Sequence, residues 1–160
     1  MTSPDESLDL ELRRHLAAPR ASLWRCWTEP ELLKQWLCPK PWGVSTCVVD
    51  LRPGGRFLST MLSPEGEEFP NDGAWLEVVP GERLVFTTAL REGWRPSAAK
   101  IHDLAMTAVL SFADAPGGGT SYHVRVMHAD AEGKARHEAM GFHEGWGVTT
   151  DQLEELALTL

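Results

Sequence analysis

The sequence predicts an α+β fold: a curved antiparallel sheet of about six or seven strands wrapped on a long C-terminal helix, with two short helices after the first strand. Three observations predict it. Apolar–polar alternations separated by Pro- and Gly-rich turns run through residues 44–127, the pattern of consecutive antiparallel strands. The last segment steps by three and four instead, with Phe142, Trp146, Thr149, Leu153, Leu156 and Leu160 on one helix face. Between the first strand and the sheet, residues 18–39 carry prolines and tryptophans at helix-like intervals.

Leu8, Leu10 and Leu12 alternate with Asp9, Glu11 and Arg13, as in a half-buried strand. Pro19 suits a first helical turn, and Leu23 and Trp27, four apart, share a helix face. Thr28-Glu29-Pro30 reads as a stop and restart. Leu32, Leu33 and Trp36 form the second short apolar face, ended by Pro39 and Pro41. Strands follow at 44–51, closed by Pro53-Gly54-Gly55, and at Arg56–Leu62, closed by Pro64-Glu65-Gly66. The next run covers 73–79, and Pro80-Gly81 turns tightly into 83–89. Residues 91–103 lack periodicity and read as a loop, in which Trp94 either acts as a lid or tucks against the protein. Strands at 106–112 and 121–127, joined through Gly117-Gly118-Gly119, complete the sheet. The terminal helix is expected over 131–160, with Gly141, Gly145 and Gly147 inside it marking close packing or a local bend.

At 160 residues the length suits one domain, residues 1–160, able to bury a core without staples. Lys and Arg number 15 against 23 Asp and Glu, a net charge of −8 that repels phosphate backbones and anionic lipid. Neither nucleic acid nor a membrane is an expected partner. Cys26, Cys38 and Cys47, odd in number and irregularly spaced, suggest neither a disulfide framework nor a zinc knuckle. The first nine residues are acidic and lack the apolar core of a signal peptide, and no apolar run is long enough to span a bilayer. Cytoplasm is the default compartment.

Catalytic motifs are lacking. The histidines, at 15, 102, 123, 128, 137 and 143, show no metalloprotease spacing, and there is no nucleophile elbow; no metal, cofactor or catalytic residue is expected. Pro53-Gly54-Gly55 is a hairpin turn rather than a phosphate loop, because no helix or lysine follows it. Asp50 and Arg52 read as a surface ion pair. Glu77 shares a strand face with Trp75 and Val79 by simple alternation, and Arg83 across the hairpin is its expected partner.

The run Ala18-Pro19-Arg20-x3-Trp24-x2-Trp27-Thr28-x-Pro30-x5-Trp36 resembles the opening of the AHSA1-like (activator of Hsp90 ATPase homologue-like) proteins, in the START/Bet v 1-like SRPBCC superfamily. Further matches follow in order: Asp50-Leu51-Arg52-Pro53-Gly54-Gly55-x-Phe57, Gly73-x2-Leu76-Glu77-Val78-Val79-Pro80-x-Glu82-Arg83-Leu84, Gly141-Phe142-x2-Gly145-Trp146 and Asp151-Gln152-Leu153. The resemblance covers nearly the whole chain. It implies a helix-grip fold with a cavity between the curved sheet and the C-terminal helix, and a small, mostly hydrophobic molecule as ligand. Trp24 and Trp27 are then expected as core, with Trp36 and Trp42 nearer the cavity mouth. The expected lining is Trp36, Phe57, Trp75, Phe86, Met106, Phe142 and Trp146, because rings supply burial while few polar atoms orient a guest. Two alternatives accompany this reading. One is a polyketide cyclase or aromatase-like enzyme using groups such as Glu77, His128 or His143 to move protons. The other is an interaction module, either co-chaperone-like towards an Hsp90-type chaperone or a homodimer through a sheet edge or the short helices.

Overall fold

The computed structural model describes residues 3–98 and 104–160; His102 and the end of the 91–103 segment lie outside these residues. Nine strands and four α-helices alternate in the order β1 (Asp9–Leu16), α1 (Arg20–Thr28), α2 (Pro30–Leu33), β2 (Gly43–Val49), β3 (Arg56–Leu62), β4 (Glu68–Val79), β5 (Arg83–Thr87), β6 (Leu90–Arg91), β7 (Arg95–Pro96), β8 (Met106–Asp114), β9 (Thr120–His128), α3 (Ala131–Ala139) and α4 (Phe142–Ala157). Seven strands form one antiparallel sheet, β1-β9-β8-β5-β4-β3-β2, and β6 pairs only with β7. The meander from β2 to β9 follows the sequence, but β1 closes onto β9, pairing Leu10 with Val126 and Leu12 with Val124.

The core fills the concave face. Alternation turns Phe57, Phe86, Leu110 and Val124 inward, and α1 lays Leu23, Cys26 and Trp27 over them. Thr28 ends α1 and Pro30 opens α2, as the stop-and-restart reading expects. Pro19 sits one residue outside the first turn, as the N-cap. Arg20 anchors this end through Asp114 at 3.2 Å and the Gly81 carbonyl at 3.2 Å.

Four expectations change. The terminal helix is not continuous: Gly141, at φ +92°, breaks it into α3 and α4, because that left-handed conformation is open mainly to glycine. Gly145 and Gly147 do not mark close packing, since a Cβ on either would meet nothing within 4 Å. β4 begins at Glu68 rather than Gly73, its Pro70 and Asn71 pairing with Thr60 and Ser59 despite their turn-like composition. The segment after Arg91 carries the small β6–β7 hairpin.

That hairpin is docked by Gly54. The Gly93 amide donates to the Gly54 carbonyl at 2.9 Å, and the Trp94 indole lies so close that a Cβ on Gly54 would come 2.7 Å from its Nε1. Gly54 also sits at φ +80°. Gly54→Ala is therefore expected to cost about 1–2 kcal/mol and to lift Trp94 off the turn, read as lowered chemical stability and stronger iodide quenching of tryptophan fluorescence.

α4 is held by the residues quoted from its own motif. Asp151 pairs with Arg14, while Leu153 is fully buried. The Gln152 amide clips the 36–40 segment, donating to the Trp36 and Cys38 carbonyls at 2.9 and 2.8 Å and accepting from the Lys40 amide at 3.0 Å. No helix among the described residues is long and apolar enough to cross a membrane.

Candidate functional site

The concave wall is built from rings on adjacent strands. Phe57 of β3 stacks on Trp75 of β4 at 4.3 Å and 17°, and Phe86 of β5 meets both edge-on, at 5.0 and 5.8 Å. Register explains the meeting, for Trp75 and Phe86 are direct cross-strand partners. Trp27 continues the cluster from α1, 6.1 Å from Phe86 and edge-on to Trp36 at 4.8 Å.

Buried indole N–H groups need acceptors. Trp27 Nε1 donates to the Tyr122 hydroxyl at 3.1 Å, and Trp36 Nε1 to the Cys26 carbonyl at 2.9 Å. Trp75 Nε1 is buried and has no partner among the described residues. It is the one unsatisfied donor in the ring cluster.

A second cluster lies where α3 and α4 meet the last residue of β9. Phe142 packs against Trp146 at 5.8 Å and edge-on against His137 at 5.1 Å. His137 Nδ1 lies 2.9 Å from His128 Nε2, and His128 Nδ1 lies 2.8 Å from the Leu8 carbonyl. A carbonyl only accepts, so His128 carries its proton on Nδ1; neutral His128 then accepts from His137 Nδ1–H. Burial first, and His128 second, hold the His137 pKa down at about 4.

Of the seven expected lining residues, Trp36, Phe57, Trp75 and Phe86 therefore join one ring cluster through Trp27. Phe142 and Trp146 belong to the second, to which half-buried Met106 connects as the cross-strand partner of His128. Trp42 lies outside both, on the surface against Phe69 at 5.7 Å. Trp94 is half exposed on its hairpin.

The proton-transfer groups do not converge on this wall. A register shift between Trp75 and Glu77 reverses the alternation, so Glu77 faces away from Trp75, correcting the shared face expected from the sequence. There it meets its expected partner, Arg83 Nε, at 3.1 Å. His143 is exposed beside Glu138. His128 does face inward, but both its ring nitrogens are engaged. Burial pushes the thiols of Cys26, Cys38 and Cys47 up to about 11, leaving them protonated and poorly nucleophilic at neutral pH. Asp50 and Arg52 form the expected surface pair at 2.9 Å. Among the described residues no three His, Cys, Asp or Glu side chains gather as a metal site would require.

Two of the open surface grooves among the described residues stand out, neither lined by the seven residues. One, of about 360 Å³, runs between Pro4, Glu6, Glu11, Lys134, Glu138 and His143. The other, of about 380 Å³, lies between Arg56, Asp72, Arg91, Glu92 and Arg95.

Trp27, Tyr122 and His137 are the residues sequence reasoning left out of the site. Trp27 has spacing that reveals a buried face but not its contact with the strand rings. For His137 a signal existed: Ala131–Ala139 contains no large apolar residue, and His137 is the buried one.

Comparison with known proteins places this geometry. The sequence profile of the family described as Activator of Hsp90 ATPase homolog 1-like protein matches residues 17–157. A crystal structure of a Nitrosomonas europaea protein is 49% identical, with 98% of this chain and 97% of that chain covered and a TM-score of 0.92. A Mycobacterium smegmatis protein is 26% identical over 94% of this chain and 91% of that one, with a TM-score of 0.77. An AHSA1-like protein from Aeromonas hydrophila shares the fold at 20% identity and a TM-score of 0.68, covering 95% of this chain and 93% of that chain. No functionally curated protein matches the chain.

Proposed function

From the premise that this chain belongs to the Activator of Hsp90 ATPase homolog 1-like protein family, we propose that it binds a small, mostly hydrophobic molecule between the concave sheet and α4. The carrying observation is the buried Trp75 N–H that lacks an acceptor in a wall otherwise made of rings. An unmade buried hydrogen bond costs about 1–3 kcal/mol, which a guest oxygen recovers. The guest is thus an apolar body with one acceptor, such as a ketone or ester.

Fluorenone and fluorene, alike in shape but differing by one carbonyl, provide the test. Titration followed by tryptophan fluorescence is expected to show saturable binding with the ketone favoured about fivefold, as one hydrogen bond supplies. Trp75→Phe is expected to abolish that preference while the hydrocarbon still binds. Absence of saturable binding for both compounds overturns the reading.

A specific observation favours interaction as a second reading. Trp42 and Phe69, 37% and 42% exposed, pack on each other beside edge strand β2. Pull-down with an Hsp90-type chaperone, and sedimentation for a homodimer, test it with Trp42→Ser as the control.

A further inference from the structure

Among the described residues eight arginines are matched to carboxylates. Arg13, Arg14, Arg20, Arg25, Arg52, Arg56, Arg83 and Arg125 each pair with an Asp or Glu. Arg91 and Arg95 pair with none among the described residues, and both line the groove of about 380 Å³.

Their placement is costly. The two are direct cross-strand partners in the β6–β7 hairpin, which sets like charges side by side on very short strands. Trp94 between them is held at φ +65°, a left-handed conformation rare for a bulky residue. The hairpin is fixed to the sheet by the Gly93–Gly54 hydrogen bond, and Trp94 lies on Gly54 rather than in the groove. Arg56 faces the same groove from β3, its guanidinium held by Asp72 at 3.0 and 3.2 Å. The groove thus gathers three guanidiniums against the carboxylates of Asp72 and Glu92, in a chain of net charge −8.

We propose that the Arg91–Arg95 groove is a binding site for a small doubly charged oxyanion, each guanidinium forking onto two of its oxygens. A phosphate ester and a dicarboxylate share that chemistry. The site is separate from the ring-lined wall: Arg56 alternates with Phe57, so its side chain leaves the opposite face of the sheet. A bound anion relieves the repulsion between the two guanidiniums.

Calorimetric titration of the full chain at low salt with phenyl phosphate, and separately with succinate, tests the site. One-to-one saturation is expected with at least one anion, and the tighter one identifies the group preferred. Arg91→Gln/Arg95→Gln is expected to weaken binding at least tenfold, while Arg13→Gln, at an exposed paired arginine, leaves it unchanged. The double variant should melt no lower than the wild type, since it loses a like-charge pair. Guanidinium Nε–Hε resonances of Arg91 and Arg95 in the unmodified protein give an independent readout and should shift on titration. No saturation by either anion up to about 20 mM, far above millimolar affinity, overturns the proposal. So do double-variant binding at wild-type strength and anion-induced shifts confined to other arginines.

Discussion

Trp27→Ala is expected to destabilise the protein by about 4 kcal/mol. Three losses combine. The fully buried indole leaves a large void in the core. Trp36 loses its edge-on neighbour at 4.8 Å, and Phe86 a tilted neighbour at 6.1 Å. The Tyr122 hydroxyl also loses the indole donor 3.1 Å away, inside an apolar environment where water does not replace it readily. Trp27→Phe keeps much of the volume and loses the donor, so about 1–2 kcal/mol is expected there. Urea unfolding followed by far-ultraviolet circular dichroism measures both; a loss below about 1 kcal/mol for alanine would show that the rings do not pack as a unit.

Acidification should produce the second large effect. His137 has its pKa lowered from 6.5 to about 4 in the folded protein, so the unfolded chain binds more protons between those values. Its contribution is fully present above pH 6.5, declines as pH falls through the window, and is lost by about pH 4. The sum is roughly 3 kcal/mol at about 1.4 kcal/mol per pH unit. Structure explains where the strain appears: α3 buries only this residue, and through it reaches His128 and the Leu8 carbonyl. Loosening of α3 ahead of the sheet is therefore expected, visible as faster amide exchange over 131–139. His137→Gln should flatten the difference in stability between pH 7 and pH 4.5; an unchanged slope would assign the acid sensitivity to other groups.

Local chemistry carried much of the fold. The Thr28-Glu29-Pro30 break, the Arg56–Leu62 strand and the start of the terminal helical segment at Ala131 are all legible, because turn residues and periodicity act within a few positions. Where reading failed, a distant partner had overruled a local preference. Pro70 and Asn71 look like a turn but pair with β3; Gly141 differs, a helix-compatible residue whose positive φ breaks the helix locally. Glu77 is instructive in another way. Its ion pair with Arg83 was readable from the hairpin, yet its face was not, since one extra residue in β4 inverts the alternation.

The candidate site divides along the same line. Sequence alone determined the family's helix-grip architecture and supplied the rings, because motifs in order and apolar spacing are properties of the chain itself. Tertiary structure decided which rings touch, which indole has no acceptor among the described residues, and that neither Arg91 nor Arg95 pairs with a carboxylate among them. Those are properties of register and of contacts between residues far apart in the chain, set by strand pairing and packing rather than by any local pattern.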